Sequence, residues 1–123
     1  MIPLISIVED DESVREATEA FMKTLGFKVR AFPSAVEFLA SSEIEETSCM
    51  IADINMPEMT GVELYGQLTR RGFDIPTILI TAYPDNAVRA RALADGVIGY
   101  LSKPFDEDAL LVCVRAAVTR QTQ

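Results

Sequence analysis

The chain has 123 residues, 49% hydrophobic and 24% charged, which fits a single globular domain rather than two. Nineteen acidic against eleven basic residues give a net charge of −8, which argues against direct binding of nucleic acid by this domain. Every apolar run is far shorter than a membrane span and the N-terminus lacks a basic secretory signal, so we expect no membrane association and a cytoplasmic location.

Strand-like and helix-like segments alternate five times, with no linker or repeat between them. In chain order, we predict strands at residues 4–8, 28–31, 49–52, 77–81 and 97–101. Helical spacing of apolar residues follows each strand, over about 14–25, 36–39, 62–68, 85–95 and from 106 into the final residues. Three of these helices are followed by a glycine that can end a helix, namely Gly26, Gly72 and Gly96.

The strands are apolar along nearly their whole length, a pattern typical of parallel strands that are covered on both faces. With right-handed crossovers, this pattern predicts a three-layer α/β/α sandwich around a five-stranded parallel sheet. Cys49 and Cys113 are isolated within apolar stretches, so we interpret them as buried, reduced thiols.

Polar side chains stand at the carboxyl ends of four of the predicted strands. Glu9 and Asp10 follow the first strand, Asp53 the third, Thr81 ends the fourth and Lys103 follows the fifth. Open α/β sheets build their binding sites in the crevice beyond these strand ends. We therefore expect three carboxylates, a hydroxyl and an ammonium group to converge there.

Each of these residues alone has an ordinary structural interpretation. The acidic run 9–12 could simply cap a helix N-terminus and stabilise it through the helix dipole. Asp53 could be a turn residue, Thr81 an ordinary strand residue, and Lys103 a solvated surface lysine. Their joint occurrence at four strand ends favours a site over these separate interpretations.

The chain contains no histidine, so chemistry at this edge must use carboxylates, hydroxyls, lysine and backbone groups. Clustered carboxylates require a hard cation, and oxygen ligands favour Mg²⁺. A carboxylate can accept a phosphoryl group while a metal and Lys103 neutralise the charge of that group. Among the acids, Asp53 is the predicted nucleophile, because it is short, central and leads directly into a loop. Glu9 and Asp10 are the predicted metal ligands, and the backbone carbonyl of Asn55 could add another.

Four stretches of the chain together resemble a known family: Ile7-Val8-Glu9-Asp10-Asp11-Glu12, Asp53-Ile54-Asn55-Met56-Pro57-Glu58-Met59-Thr60-Gly61, Ile80-Thr81-Ala82 and Leu101-Ser102-Lys103-Pro104-Phe105. They resemble the receiver domain of two-component response regulators, and within it the FixJ-like subfamily. The resemblance covers residues 1–123 and implies a flavodoxin-like fold with strand order 2-1-3-4-5. It also implies phosphotransfer to this domain from the phosphohistidine of a histidine kinase.

The resemblance assigns roles to the acidic residues. It implies that Asp53 is the phosphoacceptor, which forms an aspartyl phosphate and also contacts Mg²⁺. It implies that Asp10 is a direct metal ligand, whereas Glu9, which replaces the commoner Asp, acts mainly through water.

The resemblance also assigns a switch. It implies that the Thr81 hydroxyl moves onto the phosphoryl group and that Lys103 forms an ion pair with that group. It also implies that Tyr100 is the rotating aromatic residue. A core aromatic on a strand is the alternative for Tyr100. The bond before Pro104 is expected to be cis, and Tyr83 occupies a position that tunes autodephosphorylation in the family.

Phosphorylation is expected to remodel the surface of the fourth helix, fifth strand and fifth helix. Apolar residues such as Leu111 and Val112 exceed what one internal face of the last helix needs, which suggests a phosphorylation-favoured homodimer. FixJ-like receivers usually precede a DNA-binding domain, so the resemblance implies that transcription is regulated through an output domain outside this chain. A stand-alone receiver is the alternative.

The expected activity is limited to self-phosphotransfer and autodephosphorylation, so the domain is interpreted as a switch rather than as an enzyme. Two other interpretations remain at this point. One is a small hydrolase that uses Asp53 covalently on an external phosphoester, and the other is a degenerate receiver that acts as a constitutive interaction module.

Overall fold

Strands and helices alternate throughout residues 2–121, the part of the chain that the computed structural model describes. In chain order the elements are β1 Leu4–Val8, α1 Glu12–Thr24, β2 Lys28–Phe32, α2 Ala35–Leu39, β3 Thr47–Asp53, α3 Gly61–Arg70, β4 Thr77–Thr81, α4 Asn86–Ala94, β5 Gly99–Ser102 and α5 Glu107–Gln121. The predicted extension of the last helix into residues 122 and 123 lies outside the described residues.

The five strands form one parallel sheet with the order β2-β1-β3-β4-β5. The predicted α/β/α fold and its strand order are therefore confirmed. Because all strands run in the same direction, their carboxyl ends lie along one edge of the sheet. That edge receives Asp53 directly from β3 and Thr81 directly from β4.

Successive strand residues supply two separate apolar clusters, one on each face of the sheet. Ile5 and Ile7 of β1 pack in the cluster that contains the buried residues of α1 and α5. Met50 and Ala52 of β3 pack in the other cluster, with the buried residues of α2, α3 and α4. Burial on both faces explains why the strands read as continuous apolar runs.

Two strands, β3 and β5, start at a different residue from the prediction, and β2, β3 and β5 each end one residue later than predicted. β3 begins at Thr47 rather than Cys49, because the Thr47 hydroxyl lies 2.7 Å from the Ser6 hydroxyl and makes a polar start to a buried strand. β5 begins at Gly99 rather than Val97, since Val97 still packs with the α2–α3–α4 cluster before the ladder with β4 starts. Neither shift moves a residue of the predicted site away from the strand ends.

The helix ends, the two thiols and the lengths of the helices also bear on the predictions. Gly26, Gly72 and Gly96 all have positive φ angles, which suits residues that end a helix. Cys49 is buried and Cys113 only half-buried, and both are free thiols. None of the helices within residues 2–121 is long and apolar enough to cross a membrane.

Candidate functional site

The acidic run after β1 divides between two tasks. Asp11 caps α1, since its side-chain carboxylate accepts hydrogen bonds from the backbone N–H groups of Ser13 (2.9 Å) and Val14 (3.2 Å). Glu9 is buried and Asp10 is exposed, and both carboxylates face the end of β3. Helix capping is thus the correct interpretation of Asp11, whereas Glu9 and Asp10 lie close to Asp53 as expected for members of a shared site.

Three carboxylates meet at the carboxyl edge of the sheet. Glu9, Asp10 and Asp53 each offer an oxygen atom, and these atoms lie within 4.8 Å of one another. The group could therefore bind a metal ion, and its all-oxygen donors suit a hard divalent cation. The sequence had predicted that these three residues would converge.

Lys103 reaches into the same cluster from the end of β5. Its Nζ lies 2.9 Å from Glu9 Oε1 and 3.4 Å from Asp53 Oδ1. Burial by itself lowers the pKa of Lys103, but the hydrogen bond and charge of Glu9 and the charge of Asp53 outweigh it and raise that pKa. The lysine is therefore charged at neutral pH and pairs more closely with Glu9 than with Asp53.

Asp53 is buried and only partly satisfied. Its Oδ1 has no hydrogen-bond partner among residues 2–121, although the Lys103 ammonium lies at ion-pair distance. Burial raises the pKa of Asp53, while the charge of Lys103 and a hydrogen bond from the Asn55 backbone lower it. A buried carboxylate oxygen without a donor is costly, so this atom is available to a cation or an incoming electrophile.

The pKa of Glu9 is also raised. Burial, opposed mainly by the hydrogen bond from Lys103, raises the pKa of Glu9 from 4.5 to about 7. The charge of Asp53 adds to this rise, because two buried carboxylates at one edge repel each other. The site therefore holds an excess of negative charge that one lysine does not balance.

Thr81 is buried at the end of β4 with both hydrogen-bonding capacities of its hydroxyl in use. The hydroxyl donates to Asn55 Oδ1 at 2.7 Å and accepts from the Tyr83 backbone N–H at 3.0 Å. From the sequence, only the backbone carbonyl of Asn55 was expected at the site, and the contact of its side chain with Thr81 was not predicted. A side-chain contact between a strand end and a loop 26 residues away leaves no signal in residue spacing.

Tyr100 is half-buried on β5, and its hydroxyl oxygen accepts a hydrogen bond from the Asp85 backbone N–H at 3.1 Å. It packs against the α2–α3–α4 cluster, so it has both the core contact and a polar link to the loop before α4. Tyr83, in contrast, is 75% exposed. The Lys103–Pro104 peptide bond is cis.

Two residues that the sequence analysis had not assigned to the site support its backbone. A Cβ atom at Gly61 would lie 2.5 Å from the carbonyl oxygen of Asp53, so only glycine allows α3 to begin this close to β3. The Arg15 guanidinium donates to the backbone carbonyl of Glu9 at 2.9 Å, which ties the loop after β1 to α1. Neither contact is apparent from a linear motif.

Comparison with known proteins identifies the family. The family model described as "Response regulator receiver domain" matches residues 5–115. Nodulation protein W of Bradyrhizobium diazoefficiens is 37% identical over 117 residues, which cover 95% of this chain and 52% of that protein. Transcriptional regulatory protein FixJ of Azorhizobium caulinodans is 30% identical over 119 residues, covering 97% of this chain and 56% of that protein.

Solved structures agree with this result. The structure of the response regulator StyR superimposes with a TM-score of 0.89 at 38% identity, over 97% of this chain and 60% of that chain. This chain spans about half the length of the curated relatives named above, 52% and 56% respectively. Histidine kinases phosphorylate the receiver domains of response regulators, which act as phosphoacceptor switches. The chain belongs to the response regulator receiver domain family, as its resemblance to FixJ-like receivers predicted.

Proposed function

We propose that Asp53 is the phosphoacceptor of this receiver domain and that a histidine kinase is its natural donor. The observation that carries this assignment is the buried Asp53 Oδ1, which has no hydrogen-bond partner within residues 2–121 and lies 3.4 Å from the Lys103 ammonium. An Asp53 oxygen forms a bond to phosphorus while the bond from phosphorus to the donor's imidazole nitrogen breaks. The imidazole leaves with a proton from solvent.

We propose Mg²⁺ as the cofactor, held by the carboxylates of Glu9, Asp10 and Asp53 and by the backbone carbonyl of Asn55. The excess of carboxylate charge at this edge fits a divalent cation, and the charge of Asp53 adds to the burial that raises the pKa of Glu9. When bound, Mg²⁺ supplies neutralisation of the phosphoryl oxygens. Lys103 contributes a second positive charge from the side of β5.

The test is labelling by a small phosphodonor such as acetyl phosphate. Intact-mass measurements should show one added phosphoryl group with Mg²⁺ and none with EDTA, and borohydride trapping should map it to Asp53. The Asp53→Asn variant serves as the control and should remain unlabelled. Labelling of that variant at the rate of the parent chain would refute the assignment, and an unlabelled parent chain would favour a degenerate receiver.

We further propose that Thr81 and Tyr100 transmit phosphorylation to a surface formed by α4, β5 and α5. Thr81 is the hydroxyl that would turn to the phosphoryl group, and Tyr100 is linked to the loop before α4 through Asp85. The domain would act as a switch without turning over an external substrate. We propose regulation of transcription as the final result of this switch, by analogy with the relative named transcriptional regulatory protein FixJ.

A phosphorylation-favoured homodimer is the proposed output of the α4–β5–α5 surface. Val112 on α5 is 68% exposed, and Val88 on α4 and Tyr83 before it are also exposed, so apolar groups are available for association. The net charge of −8 opposes self-association, so added salt should strengthen the dimer. We expect beryllofluoride, a phosphoryl mimic, to tighten the dimer by about 5- to 150-fold, which is typical of such coupling.

Sedimentation with and without beryllofluoride measures this change. The Val112→Asp variant should remain monomeric while Asp53 still accepts label. Val36→Asp is the matched control, because Val36 is an exposed valine on α2, outside the proposed surface. A sedimentation coefficient that beryllofluoride leaves unchanged over a wide concentration range would reject the homodimer.

A further inference from the structure

The Thr81 hydroxyl is already committed to partners at rest. It is 1% exposed, it donates to Asn55 Oδ1 at 2.7 Å and it accepts from the Tyr83 backbone N–H at 3.0 Å. A hydroxyl carries a single proton. The Thr81 hydroxyl can therefore donate to a phosphoryl group carried by Asp53 only after its bond to Asn55 has broken.

Asn55 is close to both parts of the proposed switch. It follows Asp53 by two residues, its backbone N–H helps to lower the pKa of that carboxyl, and its side-chain amide oxygen accepts the hydrogen bond of the Thr81 hydroxyl. Asn55 is itself exposed, whereas Thr81 is buried, so the amide is a partner that can turn into solvent while the hydroxyl cannot. A buried hydroxyl without a partner is unfavourable, so the amide stabilises the arrangement in which Thr81 faces away from a phosphoryl group.

We propose that Asn55 is a positioning residue, whose side-chain amide holds the Thr81 hydroxyl in its resting orientation. This inference rests on the proposed function and adds a residue that sets the balance between the resting and activated states. The backbone carbonyl of Asn55, proposed above as a metal ligand, is a different atom with a different role. The amide instead competes with the phosphoryl group for one proton.

The Asn55→Ala variant separates the two roles, because it removes the amide and keeps the main-chain carbonyl and N–H. The resting state loses a hydrogen bond that the activated state does not use. We expect half-saturation at a beryllofluoride concentration lower than that of the parent chain by about 2- to 10-fold, the range for one net hydrogen bond. Amide NMR shifts of Ala82 and Tyr83, recorded at saturating Mg²⁺, follow the titration.

A double-mutant cycle tests whether the effect passes through Thr81. In a Thr81→Ala background, Asn55→Ala should leave beryllofluoride affinity almost unchanged. In a Thr81→Ser background, which keeps the hydroxyl, the increase in affinity should return. Asn86→Ala is the matched control, because Asn86 is an exposed asparagine at the start of α4 with no contact to Thr81 among the hydrogen bonds of the described chain.

The outcomes distinguish this inference from the proposed function. A parent chain whose spectrum does not respond to beryllofluoride would overturn the proposed function and the inference with it. A parent chain that responds, combined with an Asn55→Ala affinity that is equal or weaker, would overturn the inference alone. An equal gain from Asn55→Ala with and without the Thr81 hydroxyl would also overturn it, since the amide would then act on the anion directly. Melting curves of each variant confirm that the titrated protein is folded.

Discussion

The Lys103→Ala variant is expected to accept a phosphoryl group from acetyl phosphate about 100-fold more slowly than the parent chain, and to bind Mg²⁺ more tightly. The rate falls because removing one preorganised positive donor from such a site typically costs a factor of about 100 to 1,000. Metal affinity rises because Glu9 and Asp53 lose the ammonium that lies 2.9 and 3.4 Å from them, which leaves their charge to the cation.

Opposite changes in rate and metal affinity distinguish this mechanism from damage to the fold. Labelling is followed by intact mass at saturating Mg²⁺, and Mg²⁺ affinity by calorimetry. Lys28→Ala is the matched control, because Lys28 is an exposed lysine on β2 outside the cluster. A variant at position 103 that labels at the parental rate would remove Lys103 from the proposed chemistry, and a loss of both properties would indicate a misfolded site.

Metal-free protein is expected to lose about 2 kcal/mol of unfolding free energy as the pH rises from 5.5 to 8. The pKa of Glu9 is raised to about 7 in the folded chain, so in this window the folded state holds a proton that the unfolded state has already released. Stability therefore falls as the pH rises. The raised pKa of Asp53 acts in the same direction, whereas Asp11, whose pKa is lowered by its hydrogen bond with Ser13, affects stability only in more acidic solution.

Urea unfolding at a series of pH values in EDTA measures this slope. The Glu9→Gln variant should flatten it, because the amide does not titrate, and Mg²⁺ added at pH 8 should restore much of the stability lost by the parent chain. Glu16→Gln is the control, since Glu16 is an exposed acid on α1. A parent chain whose stability is constant or rises between pH 5.5 and 8 would contradict this account of the Glu9 environment.

Much of the fold and the membership of the acidic cluster could be predicted from the sequence. Continuous apolar strands require two covered faces, and parallel strands bring their carboxyl ends to one edge. Asp53, Thr81 and Lys103 at three such ends therefore had to share that edge once the sheet formed. Strand boundaries were harder to predict, because Val97 is apolar whether it lies in a strand or packs beside a helix.

The finer arrangement of the site depends on which side chains from distant elements meet. The position of Glu9 and Asp10 directly after the first strand assigned them to the site, whereas the capping role of Asp11 is shown only by its hydrogen bonds from Ser13 and Val14. The proximity of α3, which only Gly61 permits, also arises when two elements pack together.

The sequence by itself determined that this chain is an α/β domain with carboxylates, a hydroxyl and a lysine at one edge. The spacing of apolar residues along the chain indicates both the helices and the parallel strands, and it depends only on consecutive residues. Only the tertiary structure decided that Lys103 pairs more closely with Glu9 than with Asp53, and that the proton of Thr81 is held by Asn55. A difference of a few tenths of an ångström in the distance between two side chains decides whether they form a hydrogen bond or an ion pair, and these side chains are far apart in the chain. Burial strengthens these interactions, so they shift pKa values and determine the resting orientation of the Thr81 hydroxyl.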